Sequence, residues 1–283
     1  MTDSIPSIKP GAPPLGINYA SPLSRALAYA VFFSNGNYTE YVNMTQPFFS
    51  PATYPGTFSP SIYGTYFNNS TKVLFYGVGG GYVTPLNPGT GGVTIFSWNG
   101  CSNGGGVKTM VCSGTNNSAN SLYLAGNCNT AIGSATGLLA FTVGSSASTV
   151  VAGVNSIAGV VDGNIHQYVG RRDYAGNLTV WSDGVNVTTG SGSTSTAISN
   201  PSGTNLFLGG TYGSGGNLGT GCPNQVLQMG WNRDLSNNEI VQLTLNPYQV
   251  FDFGDISFLH SSGSGGGKGL HHLLGAIRLG LGV

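Results

Sequence analysis

From Val160 to Phe251 short apolar runs alternate with polar residues at a period of two, and Gly, Asn or Asp closes each run. VVDGNIHQYVGRRD, NLTVWSDGVNVTT and NLFLGG therefore read as strands joined by turns. Asp183-Gly184, between LTVWS and VNVTT, supplies the positive φ angles of a type I′ hairpin. Asp162-Gly163 and Ala175-Gly176-Asn177 punctuate the neighbouring strands in the same way. The period then changes. Ser236 is placed as a helix N-cap, Glu239 three residues on completes a capping box, and Ile240, Val241 and Leu243 follow before Asn246-Pro247. One or two helical turns are predicted there, ending at the proline.

The C-terminal tail has a different texture. Ser261–Gly267 has the composition of a flexible linker. Beyond it Leu270, Leu273, Leu274, Ile277 and Leu281 fall on one helical face, flanked by the charges of Lys268 and Arg278. So short a helix, with Gly275 and Gly280 inside it, is marginal alone and needs a surface to bury its leucines. These five residues are the candidate assembly contact, with an appended peptide as the alternative.

Composition narrows the partners. Nine acidic and nine basic residues leave the chain neutral, and charged residues make up only 6% of it, against about 25% in ordinary domains. Forty-seven glycines, 40% hydrophobic and 11% aromatic residues give a core-forming chain with a polar, uncharged surface. Arg171-Arg172 is an isolated basic pair, so no stripe exists to track nucleic-acid phosphates. No apolar stretch is long enough for a membrane-spanning helix, and MTDSIPSIKPGAPP has no secretory apolar region. The Asn-x-Ser/Thr triplets at Asn37, Asn43, Asn69, Asn177 and Asn186 therefore carry little weight. Cys101, Cys112, Cys128 and Cys222 allow three pairings. A hairpin bridge between Cys101 and Cys112 is conceivable, but the favoured reading leaves the thiols reduced or incidental. Their spacing does not suit zinc.

D-G-x-x-H at Asp162–His166, L-T-V-W-x-D-G-V at Leu178–Val185, W-N-R-x-L-S-x-x-E-I at Trp231–Ile240 and the closing Asn246–Phe251 together carry a resemblance. In this order they resemble the laminin-G-like or concanavalin A-like jelly roll, which implies an all-β, two-sheet antiparallel sandwich with one short helix near its end. Gly16–Leu27 is similar to the lead-in of phage versions, preceding a first core strand at Ala28–Phe33. The resemblance spans residues 16–253, although 34–155 matches in texture only. The implied organisation is an N-terminal arm and lead-in at 1–27, a jelly roll at 28–253, and a linker and tail at 254–283.

Glycanases of this fold resemble one another in carrying carboxylates two residues apart on a strand, and no predicted strand here has such a pair. Asp252 and Asp255 are the closest two and read as a turn. His166 reads as a structural histidine rather than a base, because no nucleophile motif accompanies it. The runs Gly79–Gly81, Gly104–Gly106 and Gly213–Gly216 read as loops rather than phosphate cradles. The resemblance implies calcium as the one cofactor to consider, with Asp162, Asp173 and Asp183 as the candidate ligands at turn tips. For carbohydrate, Trp98, Tyr123, Tyr212 and Asn217 are the candidate aromatic and amide surface, while Trp181 and Trp231 read as core.

The sequence reading is thus a non-enzymatic structural protein of a phage virion, a decoration, head-fibre or tail-associated subunit. Its expected partners are other virion proteins and copies of itself, without nucleic acid. The alternative is an extracellular or cell-surface adhesin that binds glycans through rim loops.

Overall fold

The computed structural model describes residues 13–34, 36–42, 58–60, 64–67, 74–76, 85–101, 106–113, 122–128, 134–146, 149–195, 197–198, 206–208 and 222–253. In chain order the strands are β1 Gly16–Ile17, β2 Leu27–Ser34, β3 Asn37–Glu40, β4 Phe58–Pro60, β5 Thr65–Phe67, β6 Leu74–Tyr76, β7 Val93–Gly100, β8 Lys108–Ser113 and β9 Leu122–Cys128. They continue as β10 Ser134–Ser146, β11 Thr149–Ser156, β12 Ile165–Arg172, β13 Leu178–Ser182, β14 Val185–Asn186, β15 Thr188–Thr189, β16 Leu206–Leu208, β17 Asn224–Trp231 and β18 Phe251–Asp252. Helix α1 spans Asn237–Leu245, and short 3₁₀ turns cover Pro22–Ser24 and Pro247–Val250.

Two antiparallel sheets form the expected sandwich. One runs β15-β11-β10-β9-β8-β16-β6, and the other runs β14-β13-β12-β7-β17-β2-β3, with β5 pairing β17 and β4 pairing β5. The second sheet is covered on both faces, which is why β7 and most of β2 and β17 are buried residue by residue. Along β7, Val93 and Ile95 enter the core between the sheets, whereas Phe96 and Trp98 enter a second core on the outer side. That outer core is completed by Ile240 and Leu243 of α1, by Tyr248 and Val250, and by Ile17 and Leu23 from the chain's beginning. Strand alternation thus feeds two cores from one sheet. At the sheet-to-sheet contact Gly170 lies under Phe141, and a Cβ there would come within 2.4 Å of the ring.

The local signals act as the sequence predicts. Asp183 and Gly184 take φ of 50° and 78°, and Ser182 pairs Val185 across the turn. Ser236 caps α1, with the reciprocal Glu239 bond of the capping box in place.

Three expectations change. Cys101 is bonded to Cys222, 121 residues away, and Cys128 is buried outside the bridge. The bridge joins the end of β7 to the start of β17, neighbouring strands that pair from Asn224 opposite Gly100. Proximity here comes from strand order, which spacing along the chain does not encode. The lead-in is also no arm from residue 16 on: Gly16 pairs Asp252, Ile17 pairs Phe251, and Leu23 is buried. Finally, Trp98 and Tyr123 are core residues, only 4% and 3% exposed. The candidate assembly contacts Leu270, Leu273, Leu274, Ile277 and Leu281 lie outside the described residues, as do Tyr212 and Asn217.

Candidate functional site

A cleft of about 650 Å³ opens where residues 19–26, the turn between β12 and β13, and the loop from β17 to α1 converge. Each wall is set by local bonding. Asn18 accepts the Ala20 N–H on its Oδ1 at 3.1 Å, and its carbonyl accepts from Ser24 Oγ at 2.7 Å. This compact turn leaves Tyr19 76% exposed on the lip. In the turn between β12 and β13, Asp173 accepts the Asn177 N–H at 2.8 Å and its side-chain amide at 3.0 Å, while Gly176 takes φ of 90°. That turn carries Tyr174, 70% exposed. Among the exposed large apolar side chains of the described residues, Tyr19 and Tyr174 are the aromatic ones, and both line this cleft.

The W-N-R-D-L-S segment supplies Asn232, Arg233 and Asp234 to the lining. Trp231 donates its Nε1–H to the Leu23 carbonyl at 2.6 Å, tying residues 19–26 to the sheet. A register shift between Gly230 and Trp231 against β2 lies beside Ala26, whose φ of 56° is uncommon for a non-glycine residue. Asn232 N–H holds the Ala26 carbonyl at 3.0 Å, and its side chain bonds Asn87 and Pro85. Gly92 makes room for Asp234, whose backbone nitrogen would lie 2.5 Å from a Cβ there.

Arg233 is the pin of this wall. Its guanidinium donates to the carbonyls of Arg25, Pro22 and Asp234 and to both oxygens of Glu239, at 2.8–3.3 Å. All five donors are engaged, so Arg233 holds the cleft and is not offered to a ligand. Partial burial pushes the Glu239 carboxyl upward, but hydrogen bonds from Arg233 and Ser236 outweigh it and hold the group below its ordinary range. Asp234 differs. Burial raises its carboxyl above the ordinary value, the nearby Asp173 charge adds to this, and Arg171 and Arg233 only partly offset it. Arg171 itself donates to the Leu235 carbonyl and to Asn237, and Arg172 is buried against the carbonyls of Gly89 and Gly91. The one basic pair of the sequence is structural.

Of the described site residues expected from the sequence, Trp98 and Tyr123 are buried, Asp173 holds the turn beside the cleft, and Asp162 and Asp183 meet at His166. Trp98 packs against Tyr248 with ring centroids 5.8 Å apart, and Tyr123 shares a 2.8 Å hydrogen bond with Thr109. Neither presents a face to solvent. Asp162 and Asp183 meet at His166 instead of around an open cation position: His166 Nδ1 lies 2.6 Å from Asp183 and Nε2 lies 3.0 Å from Asp162. Their other oxygens accept from Gln167 N–H and from Asn164. Asp173 sits at the far end of β12, roughly 20 Å along the strand. The three aspartates do not fit one calcium ion, because their oxygens are already bonded and they are not together. Tyr19, Tyr174, Arg25 and Asp234 were missed; the one available signal was tyrosine standing amid polar turn residues, as in Asp173-Tyr174-Ala175-Gly176.

The His166 cluster has a pH signature. The Asp183 hydrogen bond, against opposing burial, raises the imidazole above its ordinary 6.5. Burial would raise Asp162, but bonds from Asn164 and His166 prevail and lower it below 3.8. Stability from the histidine is complete below 6.5 and is lost as pH rises through the higher folded value. Stability from Asp162 is present above 3.8 and is lost as pH falls through the lower folded value. Thermal unfolding followed across pH should therefore show His166→Gln most damaging between about pH 4 and 6.5, with a gap that narrows on the alkaline side. A gap of constant size across pH would refute the charged cluster.

No protein-family model matches the chain, and no curated protein matches it in sequence. Solved structures do match in fold. A Trypanosoma rangeli sialidase superposes with a TM-score of 0.51 at 14% identity, over 85% of this chain and 37% of that one. The botulinum neurotoxin serotype C1 binding domain gives 0.51 at 11% identity, over 78% and 52%. A weaker likeness, 0.42 at 16% identity over 62% and 99%, is to the Ruminococcus gnavus IT-sialidase CBM40 bound to α2,3 sialyllactose. The chain thus spans about a third to a half of the first two. At such identities the first two likenesses are of fold alone, an all-β one.

Proposed function

We propose that this chain is a carbohydrate-binding module whose ligand lies in the cleft between Tyr19 and Tyr174. The observation that carries this reading is that two exposed tyrosine rings line one cleft together with polar and charged side chains. Carbohydrate presents apolar C–H faces and a rim of hydroxyls, so it needs ring platforms together with donors and acceptors. A preformed wall, held by Arg233 and by the Trp231 bond, lowers the ordering cost of binding. The lectin-like fold accords with this and does not by itself assign it.

Binding is favoured over hydrolysis. Acid–base cleavage by paired carboxylates requires two that are available to the substrate. Of the two carboxylates lining the cleft, Glu239 is held by Arg233 and Ser236, which leaves Asp234. The virion role rested on terminal segments and on the lead-in. Residues 1–12 and 254–283 lie outside the described residues, and of the lead-in Gly16 and Ile17 pair Asp252 and Phe251 while Leu23 and Ser24 are buried. Glycan binding therefore replaces it as the main reading.

The full-length protein on a broad glycan array should retain a defined set of sugars. Tyr19→Ala and Tyr174→Ala should each weaken the best of them by about tenfold in titration calorimetry. Val185→Ala, an exposed apolar change outside the cleft lining, should not. Retention of nothing on the array would end the reading, and undiminished affinity in both tyrosine variants would move the site elsewhere.

A further inference from the structure

The charges around the cleft cancel, and nearly all are already engaged. Arg233 and Glu239 are bonded to each other, Asp173 to Asn177, and Arg171 to Leu235 and Asn237. Among the described lining residues this leaves two ionic groups outside any ion pair or side-chain bond, the guanidinium of Arg25 and the carboxylate of Asp234, which accepts from its own backbone N–H. They are not equal in strength. Arg25 is exposed, so water and salt screen it, whereas Asp234 is partly buried with the Asp173 charge nearby. An anionic ligand would place a second negative charge beside a carboxylate whose own charge burial already penalises. A hydroxyl gives that carboxylate a hydrogen-bond donor at no such cost. A third polar group points the same way. Ser21 Oγ, in the cleft wall, is buried and has no hydrogen-bond partner among the described residues. A hydroxyl buried at a cleft wall without a partner is a position a ligand or a bridging water would satisfy.

We infer that the cleft selects neutral, hydroxyl-rich oligosaccharides over acidic ones, with Asp234 accepting from sugar hydroxyls, Arg25 donating to a sugar oxygen, and the rings of Tyr19 and Tyr174 covering the C–H faces. This rests on the glycan-binding reading and adds the class of glycan. The discriminating group is Asp234, which contacts the ligand through its carboxylate.

The test is titration calorimetry of the full chain with lactose, maltotriose, cellotriose and mannotriose against sialyllactose and trigalacturonate. Wild type should bind at least one neutral sugar, and bind both acidic sugars tenfold or more weakly. Asp234→Asn keeps the shape of the side chain and removes its charge. It should weaken the neutral sugar by tenfold or more and narrow the discrimination against acidic ones, with an unchanged circular dichroism spectrum. Tighter binding of an acidic sugar, or full neutral affinity in Asp234→Asn, overturns the inference while leaving glycan binding intact. Failure of both classes to bind removes the class assignment together with the reading beneath it.

Discussion

Replacing Cys101 and Cys222 together by serine is expected to lower the unfolding free energy by about 5 kcal/mol. The cross-link closes a loop across a sequence separation of 121. In the chain-entropy description, a loop of about that length restricts the unfolded ensemble by close to that amount at room temperature. The native side adds little strain relief to offset it, because β7 and β17 are paired neighbours with or without the bond. The Gln225 side-chain amide also holds the Cys222 carbonyl at 2.6 Å from within the fold. The double variant should therefore fold to the same structure and melt at least 10 °C lower, given roughly 2–4 °C per kcal/mol for a domain of this size. Guanidinium unfolding of wild type with and without reductant, beside the double variant, measures it. A loss below about 1 kcal/mol would mean that the unfolded chain is already confined near this contact. A bond of this kind also suits an oxidising compartment, which accords with the extracellular alternative.

Trp231→Ala is the second large effect, at about 3–5 kcal/mol, the range for truncating a fully buried aromatic. Trp231 is completely buried in the outer core and is the largest side chain of that class among the described residues. Its removal leaves a cavity under α1 and also leaves the Leu23 carbonyl without its donor. Trp231→Phe removes the N–H while filling part of the cavity, so it should cost less than the alanine change, by the packing it restores. Leu23 anchors the segment that carries Tyr19, so the alanine variant should lose glycan affinity beyond what its stability alone explains. Binding measured well below its melting temperature checks this. Wild-type affinity there would show that the cleft wall does not depend on the tryptophan.

Much of the fold was legible because its cues are local. Two-residue alternation, the Asp183-Gly184 turn and the Ser236–Glu239 capping box each act within a few residues, where sterics and short hydrogen bonds decide. The same locality explains the errors. Trp98 and Tyr123 looked available for sugar because alternation says which residues share a face and not what covers that face. The outer side of the second sheet is closed by α1, by Tyr248 and by residues from the opposite end of the chain. Asp162 and Asp183 looked like calcium ligands because each tips a turn; Asp162 meets His166 four residues on, and the pairing of β12 with β13 brings Asp183 to the other ring nitrogen.

The cleft belongs wholly to this second kind of information. Tyr19, Tyr174 and Asp234 are separated by more than a hundred residues from first to last, and each stands in a segment that reads as an ordinary turn or loop. The sequence by itself determined the strands, the turns, the helix cap and the apolar faces, because those follow from backbone geometry and neighbouring side chains. The tertiary structure alone decided which cysteines join, which aromatic rings remain in solvent, and which carboxylate lines the cleft outside an ion pair. Those outcomes depend on strand order and on contacts between distant segments, whose energies exist only once the sheets have assembled.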